Sequence, residues 1–530
     1  MSTRSKALTI LGAALIVLLV AVPLAGLGMA VVDRPADPLT GLTPTLAELL
    51  HSTDIWMLLA RSMLLSVAVA IGAVLTGGWL AWIEHRTRAP RWWVLLTLLP
   101  LAMPSYLVAA TVRSALSPGG WIGATLHTPH MTGFAMATVV LIVITAPLCQ
   151  LIIGSALQRT SAAEEEAARC LGASPGQVFR DVTLPRLRPA IGFSALISLL
   201  YAISDFGAVA VLDVPVLTWR LYLAVESQDI ARATVLGVAT LAALLPLFGA
   251  ARWLRGGALE PGAANTRQVE ATTQSISARF LSAAAVILVV GIGVAIPICT
   301  LGLWVSDGLA RGLTFVNPLS ALTDTGLMAT VGAVFTALLA VLPAWSVAER
   351  HRRGKSSGWM EDGVYLTSAL PGVLLALGLI LAALRFTSHL PPGSYGVLLS
   401  SGALLLLGYS TRFVAEVFAP LRVAFSGLDP RQAESASVLG AGPIKRLRTV
   451  ILPAVGPGVA VGLLIGFNAI VKELPVTLLL GGATGLKTLS FRVWDRYNES
   501  LWHDAGVAGL LLVGLALASA VLTTRWRKNG

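Results

Sequence analysis

The sequence predicts an all-α integral membrane protein of about twelve transmembrane helices in two six-helix repeats. Three observations carry this. The chain is 55% hydrophobic and only 12% charged, where a soluble chain carries about 25% charged residues. Twelve apolar stretches are long enough to span a bilayer, which takes about 20 residues each. One polar segment recurs 268 residues after its first appearance.

A mean hydropathy of +0.78 cannot be hidden in one water-facing core, so lipid is the solvent for much of the surface. The net charge of +11 would suggest nucleic acid in a soluble protein. Here the basic residues sit in short loops between apolar runs without interleaved aromatics, so nucleic acid is not an expected partner. The three cysteines, Cys149, Cys170 and Cys299, have no metal-ligand spacing and read as structural.

The expected spans are 7–32, 57–82, 92–116, 133–157, 190–212, 232–251, 280–304, 326–348, 362–384, 395–419, 455–481 and 505–524. The first follows Arg4 and Lys6 and is longer than the apolar core of a signal peptide, so it is expected to be a retained helix. With the N-terminus inside, the inner segments carry 26 Lys and Arg against 7 in the outer loops. The positive-inside rule therefore predicts that both termini are cytoplasmic. Residues 252–279, polar and rich in small residues, read as a cytoplasmic linker between a first half, 1–251, and a second half, 280–530.

The duplicated segment reads EEEAARCLGASPGQVFRDVTLPRLRP at 164–189 and QAESASVLGAGPIKRLRTVILPAVGP at 432–457. In this register Glu166 pairs with Glu434, Gly172 with Gly440, and Pro185 with Pro453. Ser161 with Glu164 suggests a capping box at the first copy. Asp429 and Pro430 suggest a cap and first helical turn at the second. Gly172 and Gly440 can stop a helix at positive φ. A short amphipathic helix follows: Val178, Phe179, Val182 and Leu184 in one copy, Ile444, Leu447, Val450 and Ile451 in the other. The expectation is a helix–Gly–helix elbow on the cytoplasmic surface, with small side chains that let a partner approach closely.

This pattern resembles the signature of permease subunits in binding-protein-dependent ABC importers. Glu166, Ala167, Ala168 and Gly172 match it in the first copy. Glu434, Ala436 and Gly440 match in the second, where Ser435 replaces the middle alanine. The resemblance covers most of the chain and implies a type I importer permease with both pore halves fused. It implies that each elbow docks on one of two copies of a cytoplasmic ATP-binding subunit. It also implies that an external solute-binding protein delivers the ligand, and that ATP binds the partner and no cofactor binds this chain. It further implies a bacterial inner membrane location. The segments SDFGAVAVL at 204–212 and VKELPVTLLL at 471–480, with Thr218, Leu221, Tyr222 and Thr488-Leu489-Ser490, are similar to ferric-iron permeases, which makes ferric iron the expected cargo. Thiamine or another small organic solute is the alternative within the family, and an ion-coupled secondary transporter is the alternative outside it.

Asp205, Lys472 and Glu473 fall inside apolar stretches, where ionisable groups are costly and face a cavity or a partner. The register sets Asp205 opposite Glu473. Two readings are open: a carboxylate pair lining the translocation pathway, whose oxygens suit a hard cation, or an ion pair of Lys472 with Asp205. Tyr201, one turn before Asp205, is either a further pathway oxygen donor or a packed core residue. Gly458, Gly462 and Gly466 suggest a close-packing helix face. Gly354-Lys355-Ser356 does not make a phosphate loop, because Glu349 stands where the first glycine is needed. ATP hydrolysis is therefore expected on a separate subunit and not on this chain, and no metal site is firmly assigned.

Overall fold

A backbone in lipid must close its hydrogen bonds within itself, and the chain's long apolar runs are helical apart from short breaks. The computed structural model describes residues 3–32, 54–87, 91–127, 133–160, 162–258 and 276–529. The first half contributes α1 (Thr3–Val32), α2 (Ile55–Arg86), α3 (Arg91–Leu98, prolonged by a 3-10 turn over Leu99–Ala102), α4 (Ser105–Leu116) and α5 (Phe134–Leu157). It continues through α6 (Ala162–Cys170), α7 (Pro175–Val178), α8 (Leu184–Ser204), α9 (Gly207–Val211), α10 (Leu217–Glu226) and α11 (Ile230–Ala258). The second half contributes α12 (Ile276–Val286), α13 (Ile296–Ala310), α14 (Leu319–Arg352), α15 (Gly358–Ala369), α16 (Gly372–Thr387) and α17 (Ala403–Ser426). It closes with α18 (Pro430–Val438), α19 (Pro443–Arg446), α20 (Leu452–Val471), α21 (Pro475–Gly481), α22 (Leu489–Asn498) and α23 (Trp502–Asn529).

Among the described residues ten helices are long and apolar enough to cross a membrane, and two bent pairs raise the number to twelve. The bent pairs are the third span of each half. At Pro104 the chain turns by 99° between α3 and α4, and at Pro371 by 100° between α15 and α16. The cause is local. A residue before proline is pushed out of the helical region, and Met103 (ψ 133°) and Leu370 (ψ 134°) are both extended. The fifth spans also break, after Ser204 and after Val471. Each fifth span is preceded by a widened π turn, Phe179–Thr183 and Leu447–Ile451. These turns accommodate Pro185 and Pro453, which lack the N–H that would continue an α-helical ladder.

The chain forms two compact units. One comprises Met1–Leu46, Ala224–Gly237 and Gly308–Gly530; the other comprises Ala47–Leu223 and Val238–Asp307. The sequence halves thus trade their first helices. In the first unit α1 lies on second-half helices: Ile16 and Leu19 share a core with Ala340, Ala344, Met360, Val417 and Phe418. The crossing of α1 with α16 is tight, since a Cβ on Gly26 would sit 2.1 Å from the Gly378 carbonyl oxygen. In the second unit Val289, between α12 and α13, packs with Leu80, Ile83 and Ala146. Gly458, Gly462 and Gly466 hold α20 against α17, where added Cβ atoms would lie 2.4–2.8 Å from Ala424, Leu421 and Val417 side chains. Helix α11 runs through Ala258 and α12 starts at Ile276, so only the middle of the expected linker lies outside the described residues.

Candidate functional sites

Both elbows form, and their central turns share one geometry. At the end of α6, Gly172 has φ +87°, and Ala173 N–H donates to the Ala168 carbonyl at 3.0 Å. At the end of α18, Gly440 has φ +81°, and Ala441 N–H donates to the Ala436 carbonyl at 2.9 Å. These are Schellman closures, which satisfy the carbonyls a helix end leaves over. Asp429 caps α18 by accepting from Arg431 N–H at 2.9 Å, while Ser161 and the Glu434 side chain lie outside the described residues. The sequence reading missed Ser174. Its hydroxyl and the Gln177 side chain form a reciprocal capping box at α7, and the Ser-x-x-Gln spacing was there to find.

The elbows present apolar side chains that are exposed among the described residues. Leu171 is 89% exposed, Val438 88% and Leu439 86%. Ala167 and Gly172 are exposed, and Glu166 and Ala168 are half-buried. Val178 is buried in the first elbow, whereas Ile444 in the second is exposed. Exposed leucine and valine on a polar surface are the kind of side chain that protein–protein contacts cover.

The carboxylates expected within the membrane both stand at helix breaks. Asp205 closes α8, and its Oδ1 accepts from Ala208 N–H at 2.9 Å, capping α9. Glu473 follows α20, and its Oε1 accepts from Val476 N–H at 3.2 Å, capping α21. Both side chains are buried, and both meet the positive end of a restarted helix. Each break faces the proline break of the third span in its own unit. A Cβ on Gly207 would press on Ser105 and Tyr106, and one on Gly372 would lie 2.9 Å from the Glu473 Oε1. Hydroxyls tie the following helices to the breaks: Thr218 donates to the Asp205 carbonyl at 2.8 Å, and Ser490 to the Val471 carbonyl at 2.7 Å. Tyr201 is half-buried on α8.

The two units differ in charge. Helix α5 contains no Asp, Glu, Lys or Arg, but α17 brings Arg412 and Glu416 toward the second-half break. The Ser368 hydroxyl donates to Glu416 at 3.1 Å, and Arg412 donates to the Ser368 carbonyl. Glu416 acts electrostatically on Lys472, and Arg412 on Glu473. Lys472 thus has a carboxylate neighbour, Glu416, that the sequence reading did not weigh. Gly354 is a helix-ending glycine, φ +62°, directly after α14, a setting unlike the strand that feeds a phosphate loop.

The broken fifth spans, the paired elbows and the repeat coincide with a family profile, "binding-protein-dependent transport system inner membrane component", which matches residues 73–258 and 332–527. The chain belongs to this family. It is an ABC importer permease subunit in two fused repeats, a multi-pass protein of the inner membrane. It is 27% identical over 507 residues to an Fe(3+)-transport system permease of Haemophilus influenzae (FbpB 2), covering 94% of this chain and 95% of that one. A second ferric permease of the same organism (FbpB 1) is 24% identical over 86% of this chain and 74% of its own length. The sulfate permease CysW of Escherichia coli is 30% identical over 39% of this chain and 75% of its own length.

Proposed function

We propose that this permease moves ferric iron, delivered by an external binding protein, into the cytoplasm by ATP-driven alternating access. The observation that carries the cargo assignment is the near end-to-end alignment with an Fe(3+)-transport permease, whereas the sulfate relative aligns with 39% of the chain. Buried carboxylates at two helix breaks supply the hard oxygen ligands that a ferric ion prefers. In transporters built from repeats, such discontinuous helices surround the substrate route. Both termini and both elbows face the cytoplasm, in line with the loop-charge asymmetry. Two copies of an ATP-binding subunit dock there, one on residues 161–185 and one on 429–453, and their closure rocks the units. Asp205, Glu473 and Lys472 line the route, with Tyr201 one turn below Asp205.

The test is reconstitution of the permease with its ATP-binding subunit and binding protein in proteoliposomes, comparing ferric iron, sulfate and thiamine. ATP-dependent ferric uptake is expected; uptake of sulfate or thiamine in its place would overturn the cargo assignment.

The chain purified without partners is expected to hydrolyse no ATP above background. Lys355→Ala should leave that background unchanged. Turnover that this substitution abolishes would place the motor on the permease itself and sink the division of labour.

A further inference from the structure

The last residue of the second membrane span in each half is an arginine, Arg86 on α2 and Arg352 on α14. Each reaches the residue just before an elbow. Arg86 Nη2 donates to the Thr160 hydroxyl at 2.6 Å, and Arg352 Nη1 donates to the Leu428 carbonyl at 3.0 Å. Thr160 and Leu428 are equivalent in the repeat register of 268. Beyond this shared contact the two arginines differ. Arg86 also makes a two-pronged pair with Glu165 inside α6, at 2.7 and 3.2 Å. Both side chains are 5% exposed, and Thr183, at the far end of the elbow, donates to the same carboxylate at 2.9 Å. Trp82, stacked under Arg86, meets Phe179 edge-on at 5.3 Å. Arg352 instead pairs with Glu349 of its own helix at 2.8 Å, and the register places Ala433, which has no carboxylate, where Glu165 stands.

We infer that Arg86 and Glu165 are positioning residues that weld the first elbow to α2, whereas among the described residues the arginine of α14 reaches the second elbow through the Leu428 carbonyl at its start and through no buried ion pair. The chemistry supports a strong first joint. A bidentate arginine–carboxylate pair is directional, and a buried pair that loses one partner leaves an uncompensated charge. The first elbow passes a push from its docked partner to α2 as a rigid lever, and the second yields before α14 moves. Drive from the two ATP-binding subunits therefore enters the permease unequally. This inference rests on the elbows being docking sites.

The first measurement needs no partner. In the full permease in lipid nanodiscs, amide hydrogen exchange over 162–178 should be ~10-fold slower or more than over 430–446, as local opening free energies dictate. Arg86→Gln should bring the first elbow up to the rate of the second, and the reversed pair Arg86→Glu with Glu165→Arg should restore slow exchange. Arg352→Gln should speed the second elbow and leave the first unchanged. If Arg86→Gln does not insert, Glu165→Gln, which keeps an acceptor oxygen and loses only the charge, replaces it.

The second measurement reconstitutes the same variants with the ATP-binding subunit and loaded binding protein, and counts ATP hydrolysed per ferric ion imported. Arg86→Gln should raise that ratio severalfold and the reversed pair should lower it again, a recovery that general destabilisation does not produce. Equal exchange in the two wild-type elbows overturns the weld. Faster exchange with an unchanged ratio overturns its role in coupling. Failure of the ATP-binding subunit to bind while the exchange difference persists overturns the docking reading instead.

Discussion

Gly172→Val and Gly440→Val, made together, should cut ATP-driven uptake ~10-fold or more while the permease still inserts in the membrane. The reason is backbone strain rather than crowding. Both glycines have φ above +80°, and an added Cβ at either would meet nothing within 4 Å. A residue with a Cβ costs roughly 1–2 kcal/mol in the left-handed region, more for a β-branched one, so the Schellman turn gives way and the elbow helices change angle. Asparagine tolerates positive φ, so Gly172→Asn with Gly440→Asn should retain most activity. Cys170, exposed at the end of α6, reports docking directly. The ATP-binding subunit should shield it from a water-soluble maleimide in the parent permease and fail to shield it in the valine variant. Wild-type uptake in the double valine variant would show that neither elbow carries the coupling.

Asp205→Asn and Glu473→Gln should each lower ferric uptake ~10-fold or more, since one lost pathway ligand raising a barrier by about 1.4 kcal/mol has that effect. Both substitutions keep the oxygen that accepts the Ala208 or Val476 N–H, so the helix restarts stay capped and only the charge is removed. Thermal stability should therefore change little. Asp205→Ala removes the cap as well and should cost about 0.5–2 kcal/mol. Measuring uptake and melting temperature across this series separates the two roles. Unchanged uptake in both charge-neutral variants would leave the carboxylates as caps and nothing more. Uptake restored in Glu473→Gln by also removing Lys472 would assign the loss to charge balance at the break.

Hydropathy located the spans because lipid imposes one rule on every stretch of backbone within it. It was blind to the bends at Pro104 and Pro371, since apolar sequence runs through them and only the extended residue before each proline marks the turn. Asp205 and Glu473 were legible because a carboxylate in an apolar run is conspicuous and the repeat paired them. Their role as caps was not, because α9 and α21 are short helices that sequence merges into the fifth spans. Arg86 was counted among the loop charges that set orientation. Its partners Thr160 and Glu165 lie 74 and 79 positions away, and no local pattern announces such a meeting. Glu416 stayed hidden in part for the same reason: Arg412 stands one turn before it on α17, but Ser368, whose hydroxyl donates to it, lies 48 positions away.

The exchange of first helices has a consequence for how the molecule is made. Helix α1 leaves the ribosome before the helices it packs on, and the glycine that fits against Gly26 is Gly378, roughly 350 residues later. At ~5–20 residues per second, α1 waits on the order of 20–70 s in the bilayer with its small-residue face uncovered. The other unit draws on nothing beyond Asp307, so it can finish while the rest of the chain is still being translated. A ribosome that stalls between these points leaves one unit with all its residues made, while α1 and Ala224–Gly237 still lack the second-half helices of the other.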